Sequence, residues 1–136
     1  MSAPNAPKVI MALLKVDAAL VALLPVECMF FGDIPQTASF PALACTNISD
    51  VDEHAISGNV MLQTARVQVT VAAKDYPTKE RLIGAVRGAC DNKRGLIAGI
   101  TVRNVRSDGI GPDLDNKDAG IFGRTIDFLV TSRPAN

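Results

Sequence analysis

Apolar positions follow two different periods along this chain. From about Pro7 to Leu24 they recur at helical spacing, at Val9, Ile10, Leu13, Leu14, Val16, Leu20, Val21 and Leu24, which predicts one continuous helix ended by Pro25. These positions cover more than a single stripe, so the helix is expected to bury one side on a sheet and another on a second body, for which a neighbouring subunit is one candidate. From Met61 to Ala73 the period is two. Val67, Val69 and Val71 alternate with Arg66, Gln68 and Thr70, the pattern of a half-buried antiparallel strand. Gly123 to Ser132 repeats it, with Ile126, Phe128 and Val130 alternating against Asp127, Leu129 and Thr131. A second helix is predicted from about Pro77 to Asn92, with Leu82, Ile83, Val86, Ala89 and Cys90 on one side and Lys79, Glu80, Arg87 and Asp91 on the other. Gly95 is the expected left-handed residue beyond its end. Gly84 and Gly88 share a face and are expected to let this helix approach a sheet closely.

The remaining segments are shorter. Cys28 to Gly32 reads as an edge strand, followed by a turn-rich loop bracketed by Pro35 and Pro41. Pro41 to Ile48 reads as a strand entered through its proline, and Ile100 to Arg106 as another. Asp50 to Asn59 is polar and is expected to be a hairpin-type loop or a longer excursion. Ser107 to Gly120, rich in Asp and Gly, is expected to be a long hairpin loop, and Met1 to Ala6 a flexible N-terminal arm. The order of helix, strands, helix and hairpin predicts an α+β fold: an antiparallel sheet of about four strands with two helices packed mainly on one face. A length of 136 residues fits one domain over 1–136.

Composition narrows the classes. Lys plus Arg and Asp plus Glu each number 14, so the net charge is zero and bulk electrostatic binding of DNA is disfavoured. Hydrophobic residues make up 48% and charged residues 21%, which excludes wholesale disorder. With five Phe, one Tyr and no Trp, the core must be aliphatic and rich in small residues. Lys15 and Asp17 interrupt the first apolar stretch, which is also too short for a membrane span, so no membrane partner is expected. Cys28, Cys45 and Cys90 have no zinc or disulfide spacing and read as buried free thiols of a protein assembled in a reducing cytoplasm.

Candidate chemistry is sparse. Counting a calcium loop from Asp113 puts Lys117 at a ligand position and Asp118 where glycine is needed, so the carboxylates of Asp108, Asp113, Asp115 and Asp118 read as a solvated loop and no metal is expected. Gly109-Ile110-Gly111 lacks the strand-turn-helix setting of a nucleotide loop. His54 beside Asp52 and Glu53 suggests an oriented imidazole, but no nucleophile is placed to use it. Arg66, Arg103, Arg106, Arg124 and Arg133 lie on or beside strands, where cross-strand pairing with residues such as Asp127 is the preferred reading over a phosphate-binding patch. No catalytic residue and no cofactor are assigned.

Several segments taken together are similar to a known family. They are Ala12-Leu13-Leu14-Lys15 with Asp17 and Leu20, then Gly32-Asp33-Ile34-Pro35-Gln36 with Pro41, then Arg66-Val67-Gln68-Val69-Thr70-Val71, the helix bearing Leu82, Val86 and Arg87, and Arg124-Thr125-Ile126-Asp127-Phe128. In this order, from about residue 9 to residue 132, the chain resembles the tail terminator or tail completion proteins of long-tailed phages, related in fold to the lambda-type tail terminator. It differs where Val71-Ala72 and Leu43-Ala44 stand in place of common aromatics. The resemblance implies a non-enzymatic virion protein of the tail and neck, typically a homohexameric ring that caps the head-proximal end of the tail tube, stops polymerisation and joins head to tail. Its implied partners are other copies of itself, the tail-tube protein and the head connector or stopper, with DNA only as passing cargo. Asp52, Glu53 and His54 in one polar loop, and Asp108, Asp113 and Asp115 in the other, are the candidate assembly contacts. The competing readings are a different neck component, such as a head-completion or connector-stopper protein, and a small cytoplasmic α+β enzyme or ligand-binding domain.

Overall fold

In a computed structural model describing residues 6–35, 37–58, 60–116 and 118–133, Asp17 divides the first apolar stretch into two helices, α1 (Ala6–Lys15) and α2 (Ala18–Leu23). The expected single helix is broken because the Asp17 carboxylate accepts a hydrogen bond from the Leu20 amide at 3.0 Å, capping a new N-terminus. Val16 is thereby turned outward and is 80% exposed. Most of the expected flexible arm, residues 1–5, lies outside the described residues; Ala6 opens α1 and is buried.

A three-residue turn of 3-10 helix, Val26–Cys28, leads into β1 (Met29–Phe31). Five further strands follow: β2 (Ala42–His54), β3 (Val60–Ala73), β4 (Lys93–Ile97), β5 (Ile100–Ile110) and β6 (Phe122–Ser132). They form a single six-stranded sheet in the order β1-β2-β3-β6-β5-β4. Every neighbouring pair is antiparallel except β1 with β2, which is parallel. The fold is α+β as expected, with six strands and three helices in place of about four and two. The additional strand β4 shows no alternation because four of its five residues are exposed and its pairing with β5 alone makes it a strand.

Helix α3 (Tyr76–Cys90) is capped by Asp75, whose carboxylate accepts from the Thr78 amide at 2.8 Å, with Pro77 in the first turn where its missing N–H costs nothing. Its end differs from expectation. Asn92, with φ of 60°, is the left-handed residue that follows the helix, while Gly95 does take a positive φ, 115°, but inside β4 at a register shift. Gly84 and Gly88 also differ, because they face solvent and a Cβ at either would meet nothing within 4 Å. The helix instead approaches the sheet through Leu82, Ile83, Val86 and Cys90.

All three helices cover one face of the sheet. Leu43, Cys45, Val67, Val69, Val71, Ile126, Phe128 and Val130 point to it and are buried against Val9, Ile10, Leu14, Leu20, Leu82 and Val86. Phe128 is the one aromatic in this core, so the aliphatic interior expected from composition is what forms. A sheet built this way is open: β1 covers only Leu43 to Cys45 on one side, and among the described residues no strand pairs with the outer edge of β4 on the other.

Candidate functional site

The segment expected to be a polar loop from Asp50 to Asn59 is largely strand, since β2 continues to His54. Its alternation is hidden because the strand leaves the core: the first four residues of β2 are buried and every residue from Asn47 on is exposed. The β2–β3 hairpin therefore extends beyond the core as an arm. A register shift between Asn47 and Ser49 is followed by the pairs Asp50 with Ala65, Val51 with Thr64, Asp52 with Gln63 and Glu53 with Leu62. Successive strand residues point to opposite faces, so Asp52 and Glu53 diverge. Asp52 accepts from the Gln63 amide at 2.7 Å, and His54 Nδ1 lies 3.2 Å from the Gly58 carbonyl oxygen. The three residues share an arm but form no acid-base pair. Ile48 and Val51 on the same arm are 50% and 64% exposed.

The second acidic segment is shorter than expected, because β5 extends to Ile110. From Gly111 it is fastened by backbone hydrogen bonds at 2.8 Å from Gly111 to Thr125 and from Leu114 to Gly123. Asp108 pairs with Arg66, which also donates to Asp127 at 3.0 Å. Asp113 and Asp115 accept from Lys79 Nζ at 2.7 and 3.1 Å. Lys79 has a side-chain exposure of 0%, contrary to the outward position expected for it. Its place in the series Lys79, Leu82, Ile83, Val86, Cys90 was the available signal, since those positions form one helical stripe.

Around this lysine, the Tyr76 ring centroid lies 3.9 Å from Nζ. Arg124 donates to both Glu80 carboxylate oxygens at 3.1 Å and to the Gly111 carbonyl at 2.8 Å. Burial pushes the Lys79 ammonium down, but the hydrogen bonds it donates to Asp113 and Asp115 more than offset this and hold it above its ordinary value. The same hydrogen bond from Lys79 depresses Asp113 below the usual carboxylate range. The arrangement can fix the loop in one shape on α3. No three His, Cys, Asp or Glu are grouped to hold a metal among the described residues.

Of the five strand arginines, Arg66 pairs across strands with Asp127 as preferred, whereas Arg124 pairs with Glu80 on α3 instead. Arg103, Arg106 and Arg133 are exposed. The cysteines are free, with Cys45 and Cys90 buried and Cys28 half-buried. Burial pushes the Cys45 thiol up to about 12 and raises Cys90 as well. In the folded protein at neutral pH, a thiol reagent is therefore expected to label at most Cys28, with all three labelled in denaturant. Rapid native labelling of two or three thiols would contradict the packing of β2 and α3.

The site is thus a set of surfaces: an exposed acidic arm, two uncovered sheet edges and a loop held by a buried lysine. A profile of the family described as Tail completion protein gp17 matches residues 8–131. The chain belongs to this family. As a tail completion protein it is a structural component of a phage tail and a virion protein, and it is not an enzyme. Its fold is similar to that of a chain in the virion of a native gene transfer agent particle, with a TM-score of 0.73 and 14% identity over 96% of this chain and 94% of that chain. A second solved structure superposes with a TM-score of 0.50 and 12% identity over 90% of this chain and 89% of that chain. No curated protein sequence matches it. Among the described residues of this tail completion protein, no helix is long and apolar enough to cross a membrane.

Proposed function

We propose that this tail completion protein forms a homohexameric ring that caps the head-proximal end of the tail tube, stops tube polymerisation and mediates head-tail joining. The observation that carries the reading is the family match across nearly the whole chain, residues 8–131. The geometry supports it, since a ring needs two different patches on each copy, and this sheet ends in two chemically different edges. The tail-tube protein and the head connector or stopper are the neighbours it would meet along the tail axis. Asp52, Glu53 and His54 on the arm, and Asp108, Asp113 and Asp115 in the fastened segment, are the proposed assembly contacts, with the last two also holding their loop in shape through Lys79. DNA passes through as cargo, consistent with a net charge of zero.

Imaging tails assembled with and without this protein tests the reading. Its absence is expected to give overlong tails that fail to join heads. Tails of normal length in its absence would overturn the terminator role, and co-purification with a portal adaptor but not with tail-tube protein would assign it to another level of the neck.

A further inference from the structure

We propose that the outer edge of the β2 arm and the edge strand β4 are the two halves of one head-to-tail contact between copies of this chain, matched by charge. This deepens the ring-forming reading and rests on it. Three observations carry the proposal.

Both edges have unused backbone. β1 pairs with β2 only at Leu43, Ala44 and Cys45. Beyond them, on the side away from β3, the backbone from Asn47 to His54 makes no hydrogen bond among the described residues. At the opposite end of the sheet, β4 pairs with β5 on one side and, among the described residues, with no strand on the other. An uncovered strand edge is a template for another strand.

The edges carry opposite charge. Asp50, Asp52 and Glu53 lie on the arm, and Lys93 and Arg94 lie on β4, with Arg103 and Arg106 on the adjacent β5. None of these seven forms an ion pair among the described residues, whereas Asp91 and Asp108 nearby are already committed to Arg87 and Arg66. Charges of one sign at both ends would keep copies apart, as protected edges do; opposite signs at the two ends attract the next copy. The chain's zero net charge conceals this polarity.

Exposed apolar side chains accompany both. Ile48 and Val51 on the arm, and Leu96 on β4 at 76% exposure, stand beside these charges and would be covered by strand pairing. Because the two edges lie at opposite ends of one sheet, their pairing is heterologous and repeats from copy to copy, closing a ring where the rotation allows it.

Charge reversal tests the proposal on the full chain. The variants are Asp50→Lys with Glu53→Lys on the arm, and Lys93→Glu with Arg94→Glu on β4; Asp50 gives up only a hydrogen bond from Asn47 on its own strand, and Asp52 is left alone because it accepts from Gln63 across the hairpin. Self-association is read by light scattering over a concentration series, with circular dichroism to check folding. Each variant alone is expected to associate about tenfold more weakly or worse, because its substituted residues then give the arm and strand β4 the same sign. An equimolar mixture is expected to recover association, since every contact in an alternating ring is again acidic against basic. If each variant assembles like the parent, the contact lies elsewhere and the ring reading stands. If both variants lose assembly and the mixture fails to restore it, the pairing is wrong. A parent chain that stays monomeric even with tail-tube protein sinks the ring reading and this proposal with it.

Discussion

Replacing Asp113 and Asp115 together by asparagine is expected to destabilise the protein clearly more than Lys79→Met does. The asymmetry follows from where the charges sit. Lys79 has no side-chain exposure, whereas the Asp113 and Asp115 side chains are 43% and 18% exposed. Removing the carboxylates leaves a buried ammonium with Glu80, 3.9 Å away, as its one charged partner among the described residues. Removing the ammonium leaves two carboxylates that water already reaches, and methionine fills most of the vacated space. Denaturant unfolding of the three proteins measures the difference; equal losses for both variants would mean that Lys79 is not desolvated as the structure has it.

The same network sets a pH window. Asp113 is depressed in the folded state, so its contribution is present above the ordinary carboxylate range and is lost as pH falls through its lowered value. Lys79 is raised, so its contribution is full below the ordinary lysine value and is lost as pH rises through its elevated one. The clasp is therefore at full strength between roughly pH 5 and pH 10. The asparagine variant is expected to lose part of the acid limb of the stability profile.

Phe128→Ala is expected to cost about 4 kcal/mol, a large part of the stability of a domain this size. Phe128 is fully buried, and it sits on β6 opposite Val67 with the helices above it. The surrounding core is aliphatic, made of valines, leucines and small residues held to a rigid sheet, so it has little means of closing over the space a ring leaves. Thermal and denaturant unfolding should show an early, broadened transition. A loss under about 1 kcal/mol would show that the core relaxes around the site.

Legibility in the sequence followed the core. Val67, Val69, Val71, Ile126, Phe128 and Val130 were identified as inward-facing because one face of their strands is buried and the other is not, which imposes period two. The arm, β4 and the end of β5 were missed for the same reason inverted. Asp50 to His54, Lys93 to Leu96 and Asp108 to Ile110 are exposed on both faces, so nothing selects an alternating pattern, and only pairing with a neighbouring strand makes them strands. The break at Asp17 and the inward position of Lys79 were present as signals, a capping residue and a stripe position. Each was outweighed by a run of apolar residues or by a charge taken as solvated.

For the candidate surfaces the division is similar. Composition and spacing located two acidic segments without distinguishing them. Folding separated them: Asp113 and Asp115 turn inward to Lys79 across more than thirty residues of chain, while Asp50 and Glu53 remain exposed on the arm and form no ion pair among the described residues.

By itself, the sequence determined the α+β class, the buried face of the central strands and the aliphatic core. These depend on local periodicity and on which residue types are present. Only the tertiary structure decided the strand order, the two open edges of opposite charge and the burial of Lys79. Those depend on which distant segments meet, and a zero net charge carries no record of how fourteen positive and fourteen negative side chains are distributed in space.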